Sequence, residues 1–262
     1  MSEDILEITN LSKYFGGLAA VSNCSLKVKK GTITGIIGPN GSGKTTLFNL
    51  IAGNLKTSEG RVRFNNEDIT NVPSYELFSK GLLRTFQIAH EFTNLTVLEN
   101  LMMVPGNQSG EKLMNAFLKP SLVKKEENLI KEKAKEVIEF LNLGHLMNEL
   151  AGNLSGGQKK LLELGRTMMV DAKLVLLDEV GAGVNRTLLK DLGTAIEKLN
   201  KEKGYTFCMI EHDMDFIGRL CDPVIVMAEG SVLFEGSVEN AKKNEKVIES
   251  YLGRGSKLKD KN

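Results

Sequence analysis

The residues best suited to do chemistry are Gly38-Pro39-Asn40-Gly41-Ser42-Gly43-Lys44-Thr45, which fit the pattern GxxxxGK[ST]. Glycines let such a loop curl until consecutive backbone N–H groups point inward, and the positive end of a following helix adds to the same concavity. A polyphosphate suits that concavity. Lys44 would reach its β- and γ-phosphates as a point charge, and the Thr45 hydroxyl is placed to ligate a bridging Mg²⁺. A chance glycine turn would give the same letters; the flanks decide, because Thr32–Ile37 before it is a β-branched apolar strand and Leu47, Leu50 and Ile51 after it recur at helical spacing.

Acids come next. Lys173–Leu177 is a continuous apolar run ending in Asp178-Glu179, as strands of an open α/β sheet end at its ligand edge. Two carboxylates there are costly unless they serve a metal or a reaction. Asp178 is suited to the Mg²⁺ shell and Glu179 to orienting and deprotonating a water for attack on the γ-phosphate, so hydrolysis is expected, not binding alone. Tyr205–Ile210 ends the same way in Glu211-His212-Asp213, which places His212 to donate a hydrogen bond to the γ-phosphate. Leu82–Gln87 reads as another strand, whose terminal Gln87 either touches Mg²⁺ or the attacking water, or is a surface residue.

Stepping outward, residues 5–9 and 19–28 alternate as strands, which puts an antiparallel layer beside the nucleotide fold. Between them, Lys13-Tyr14-Phe15-Gly16-Gly17 is a two-aromatic turn; Phe15 stacks on an adenine base, or either ring is core. Pro73–Lys80 is a helix stopped by Gly81, and Pro105, Gly106, Gly110 and Pro120 punctuate an insertion over 104–125 that carries Leu113, Met114, Phe117 and Leu118. A helix over 126–142 follows. Leu154-Ser155-Gly156-Gly157-Gln158 then opens another, with Ser155 as its cap. Residues 223–227 and 231–234 pair as strands, 238–252 is helical, and the lysine-bearing 253–262 reads as a flexible tail.

Composition sets limits on all this. In 262 residues, 41% hydrophobic and 26% charged, there is material for one large domain with an inserted part. A net charge of +1 gives no field that would gather nucleic acid. Cys24, Cys208 and Cys221 show no paired spacing, which fits reduced thiols in the cytosol. The acidic start lacks a secretory leader and no apolar run approaches a membrane span, so membrane association is expected to come through a partner.

Taken together, GPNGSGKTT at 38–46 (Thr46 included), Gln87, LSGGQ at 154–158, LVLLDE at 174–179 and the histidine of IEHD resemble the ATP-binding-cassette ATPases over nearly the whole chain. The resemblance implies an α/β fold: a P-loop NTPase (RecA-like) core with an antiparallel β-subdomain and an inserted helical subdomain. It forms a single domain over 1–252, with its core in 1–87 and about 170–252 and its helical part in about 88–169. It implies ATP and Mg²⁺, and a head-to-tail dimer in which Ser155, Gly156, Gly157 and Gln158 of one subunit cover the γ-phosphate held by the other. Arg84–Gln87, Leu95–Asn100, the insertion and the ending Val247–Gly253 look like importers of the branched-chain amino acid type. That implies a peripheral subunit on the cytoplasmic face of the inner membrane, a second ATPase subunit, two permeases and, indirectly, a substrate-binding protein. An importer of urea or other amides, a lipopolysaccharide exporter and a soluble cassette ATPase are the alternatives. Val180 and Asn185 depart from the usual proline and aspartate, and Val180 is expected to leave Glu179 less firmly aimed.

Overall fold

The structure is a computed structural model that describes residues 3–85, 91–106, 108–111 and 113–252. The chain divides into two compact units. The first comprises Met1–Arg84, Lys173–Gly181 and Glu197–Asn262; the second comprises Thr85–Ala172 and Ala182–Ile196.

In the first unit a long hairpin, β1 (Asp4–Phe15) and β2 (Leu18–Lys29), joins β4 (Glu59–Phe64) and β5 (Glu67–Asp68) in an antiparallel sheet of order β2-β1-β4-β5. The hairpin is longer than its alternation suggests because register shifts interrupt the pattern, with Asn10 and Asn23 in the left-handed region near the breaks. The second sheet has the order β10-β9-β3-β8-β7-β6: β3 (Ile33–Ile37), β6 (Leu82–Arg84), β7 (Leu174–Asp178), β8 (Thr206–Ile210) and β9 (Val224–Ala228) are parallel, and β10 (Ser231–Gly236) is an antiparallel edge. Every residue of β3, β7 and β8 is buried, which is why those segments read as unbroken apolar runs. Helix α1 (Lys44–Ile51) follows the loop after β3 and drives Leu47, Phe48 and Ile51 into the core shared with the hairpin. Helix α2 (Ser74–Lys80) is capped at its end by Gly81 at φ 89°, as expected.

The second unit holds α3 (Val97–Met102), α4 (Leu113–Leu118), α5 (Pro120–Phe140) and α6 (Gly156–Met168), and α7 (Arg186–Lys203) starts in it. Helix α5 begins six residues before the expected 126: Pro120 occupies the first turn, where the missing N–H costs nothing, and so opens the helix instead of punctuating a loop. In the first unit, α8 (Met214–Leu220) is capped by Asp213, and the expected helix over 238–252 is two, α9 (Val238–Lys243) and α10 (Glu245–Leu252). Asn244 makes the break: its backbone is extended and its side chain accepts from the N–H of Val247, starting a new helix. Strand β6 stops at Arg84, and Gln87 lies outside the described residues.

Candidate functional site

The loop after β3 is shaped by close approach of backbone. Gly38 (φ 149°) packs where an added Cβ would meet the Met227 carbonyl at 2.1 Å, and Gly43 (φ 97°) where it would meet that of Ala20 at 2.4 Å. Gly41, at φ 76°, has nothing within 4 Å of its own added Cβ, and Asn40, Gly41 and Thr45 are exposed. The loop is therefore packed at its ends and open at its middle, with the free N–H groups of the α1 first turn beside the opening. Ser42 is buried and its N–H donates to the Pro39 carbonyl at 3.2 Å.

Lys44 is 6% exposed. Its Nζ donates to the carbonyls of Gly38 and Pro39 at 2.8 and 2.9 Å, folding the cation back along its own loop. Burial lowers its pKa, while Glu179 and Asp178 act to raise it, so the strand-end acids are electrostatically within reach of the loop lysine. The three groups that sequence spacing singles out thus converge at the carboxyl ends of β3 and β7.

Asp178 is buried, and Arg84 donates from Nη2 to its Oδ2 at 2.7 Å; Nη1 of Arg84 donates to Asn49 Oδ1 at 2.6 Å. The other oxygen, Oδ1, is buried and has no hydrogen-bond partner among the described residues. An orphaned carboxylate oxygen next to a bound cation is costly to a fold and is the chemistry a hard divalent ion satisfies, so Asp178 fits the Mg²⁺ shell assigned to it.

Glu179 has left-handed backbone at φ 49°, uncommon for a residue other than glycine. Its Oε1 lies 3.0 Å from His212 Nε2, and its N–H donates to the Ile210 carbonyl at 2.9 Å. Val180 is buried, and the next N–H, that of Gly181, donates to Oε1 of Glu211 at 2.7 Å. The backbone is thus hydrogen-bonded on both sides of Val180, at Glu179 and at Gly181. Glu211 is itself 5% exposed and its carboxyl is pushed above the ordinary range by burial, against the opposing N–H bonds of Gly181 and His212.

Tyr14 and Phe15 are exposed, at 42% and 48%, at the end of β1 and not within the turn, which Gly16 and Gly17 make. The core reading of these rings is therefore excluded. Lys13 Nζ stands 5.2 Å over the Phe15 ring.

In the second unit, Ser155 caps α6 in a reciprocal box. Its hydroxyl accepts from the Gln158 N–H at 3.4 Å, and Gln158 Oε1 accepts from the Ser155 N–H at 2.8 Å. Both side chains are thus already engaged in shaping the helix start. Gly157 is buried with Leu188, whose Cδ1 would lie 2.4 Å from an added Cβ, whereas Gly156 is exposed with nothing nearer than 3.8 Å. The two glycines serve different ends: one admits a neighbouring side chain, the other leaves backbone open. Asn185 caps α7 through Oδ1, which accepts from Leu188 N–H at 2.9 Å, a role an aspartate fills equally.

Sequence gives Arg84, Asn49, Glu211 and Tyr251 no role in the site, although Arg84, Glu211 and Tyr251 fall inside stretches it names. Arg84 ends a strand parallel to β7, and once β6 and β7 are known to be neighbours a strand-end cation beside a strand-end acid follows. Tyr251 on α10 takes a hydrogen bond from the Gly38 backbone N–H, while burial raises its phenol pKa. No local pattern marks that contact.

Residues 21–182 match the family model described as ABC transporter. The chain is 46% identical to the probable branched-chain amino acid transport ATP-binding protein LivG of Archaeoglobus fulgidus, over 95% of each chain. It is 44% identical to the protein of the same description from Methanocaldococcus jannaschii, over 95% of this chain and 98% of that one. A crystal structure of the ADP conformation of an ATP-binding cassette of an ABC transporter superposes with a TM-score of 0.81 at 42% identity, covering 96% of this chain and 100% of the other.

Proposed function

This chain belongs to the ABC transporter family as an ATP-binding, ATP-hydrolysing subunit, and from that premise we propose that it powers an importer of branched-chain or closely related amino acids. Relatives with those names do not favour the amide, lipopolysaccharide or soluble alternatives. In this reading the subunit lies on the cytoplasmic face of the membrane, pairs with a second cassette subunit, and moves two permease subunits that a substrate-binding protein feeds. No helix among the described residues is long and apolar enough to cross a membrane.

The observation that carries the catalytic part is the convergence of Lys44, Asp178 and the Glu179–His212 pair at one edge of the parallel sheet. The backbone N–H groups of the open part of the loop, Asn40, Gly41 and Gly43 through Thr46, cradle the phosphates, with Gly38, Pro39 and Ser42 shaping the curl, and Lys44 exchanges its two loop carbonyls for phosphate oxygens. Thr45 and Asp178, with Gln87 as a further contact, would hold Mg²⁺, which when bound would supply charge neutralisation for the phosphate oxygens. Glu179 takes the proton of the attacking water, and His212, which here restrains that carboxylate, donates to the γ-phosphate. Phe15 stacks on the base. Gly156, open at the start of α6, brings its backbone to the phosphate of the opposite subunit, with Ser155, Gly157 and Gln158 setting its position.

The test is a pull-down of the tagged protein from gently solubilised membranes, with Mg²⁺-dependent phosphate release measured on the eluate. Two multi-span permeases and a second cassette subunit are expected. A soluble eluate of ribosomal or nucleic-acid partners overturns the transport reading, and absence of phosphate release from the complex overturns the catalytic one.

A further inference from the structure

Met114, Phe117 and Leu118 recur at i, i+3 and i+4 on α4, and they are 72%, 81% and 72% exposed. Leu122, in the first turn of α5, is 40% exposed beside them in sequence. Scattered apolar residues on a surface need no explanation, but a contiguous group of long ones does. The corner that carries them is built, not loose. Ser109 donates from both its N–H and its hydroxyl to Glu126 of α5, at 2.9 and 2.8 Å, and the Gln108 amide donates to the Met102 and Pro105 carbonyls. Apolar side chains are thereby held outward at a fixed place in the second unit.

The charges within this stretch of sequence are basic. From residue 113 to residue 125 the sequence contains Lys119, Lys124 and Lys125, all exposed, and no acid, in a chain whose net charge is only +1. Of the acids that flank this stretch, Glu126 is occupied by Ser109, while Glu111 and Glu127 are exposed at its edges. Exposed apolar side chains followed closely in sequence by exposed lysines suit an interface where the tips enter an acyl layer and the ammonium groups stay with anionic headgroups.

We infer that the α4–α5 corner, Met114 to Lys125, seats directly on an anionic lipid surface. This departs from the expectation that any membrane association runs through a partner. Its place in the cell rests on the transporter reading; the binding itself does not, and is tested without permeases.

The full-length chain is floated with vesicles of phosphatidylcholine containing phosphatidylglycerol, and with pure phosphatidylcholine. Expected is flotation with the anionic vesicles only, weakened by salt and reduced roughly tenfold or more by Phe117→Glu with Leu118→Glu. Lys124→Glu with Lys125→Glu is expected to weaken it similarly. These positions lie outside the phosphate site, so retained nucleotide binding shows that the variants are folded. No flotation, equal flotation with neutral vesicles, or a Phe117/Leu118 variant that floats as well as the parent overturns the inference, the last by moving binding to another part of the chain. Self-association through the corner in solution without vesicle binding overturns it in favour of a second copy. Any of these results leaves a membrane pull-down with permeases standing.

Discussion

Replacing Arg84 with methionine isolates the electrostatics of the site. Arg84 is 11% exposed in its side chain and Asp178 2%, and their 2.7 Å contact is the one hydrogen bond given to that carboxylate among the described residues. At an effective dielectric of about 20, the Coulomb attraction at this distance is on the order of 6 kcal/mol before desolvation is subtracted. Removing one partner of a buried pair strands the other, at a measured cost of about 3–5 kcal/mol. Among the described residues Arg84 Nε and Asp178 Oδ1 are already without partners, so part of the desolvation penalty is present in the parent protein, which points to the lower end, about 3 kcal/mol.

Urea unfolding followed by circular dichroism measures this loss, and a cycle with Asp178→Asn isolates the pair. A coupling of about 1.5 kcal/mol or more is expected, with the double variant recovering much of the single variant's loss. Mg-ADP is expected to stabilise Arg84→Met by more than it stabilises the parent, because a cation at Asp178 replaces the one removed. A coupling below about 0.5 kcal/mol would refute the buried-pair account. Equal or smaller stabilisation by Mg-ADP would refute Asp178 as a metal ligand.

Glu179→Gln is expected to keep ATP binding and to lower phosphate release by about 10²- to 10⁴-fold, checked by equilibrium binding beside a turnover assay. Gly157→Ala drives a methyl into Leu188 and is expected to cost about 1–3 kcal/mol of stability, whereas Gly156→Ala leaves unfolding unchanged and acts on turnover alone. Glu211 has a raised pKa in the fold, so its contribution to stability is intact below the ordinary carboxyl value of 4.5 and is lost as pH rises through the folded value. Glu211→Gln is therefore expected to flatten the fall in urea midpoint between pH 4.5 and neutrality. Cys24, Cys208 and Cys221 are buried, and burial pushes the Cys24 and Cys221 thiols up to about 11 and about 12. Alkylation of the native protein by iodoacetamide is expected to wait on unfolding, as mass spectrometry of timed samples would report.

What the sequence made legible follows from how local each cause is. The phosphate loop was readable because its glycines answer to backbone geometry within a few residues: Gly38, Gly41 and Gly43 all have positive φ, and the strand and helix on either side carry their own periodicities. The capped start at Ser155 was readable for the same reason, since a box closes over three residues. Helix breaks were less so. Pro120 and Asn244 each have two meanings, end or beginning, and only the packing that follows selects one. Least readable were the groups whose function is a contact between distant strands. Arg84 and Asp178 are 94 positions apart, and nothing in either neighbourhood declares the other. Glu211 looked like one letter of a strand-end triplet, yet its carboxylate holds the backbone at Gly181, thirty residues earlier, and so helps to aim Glu179 where a proline is absent. Sequence therefore singled out the groups proposed to touch substrate, because phosphate chemistry demands particular residue types at a strand's end. It could not locate those that hold them in place, because any pair of residues with matching charge or hydrogen-bonding capacity can do that, and which pair meets is decided by strand order.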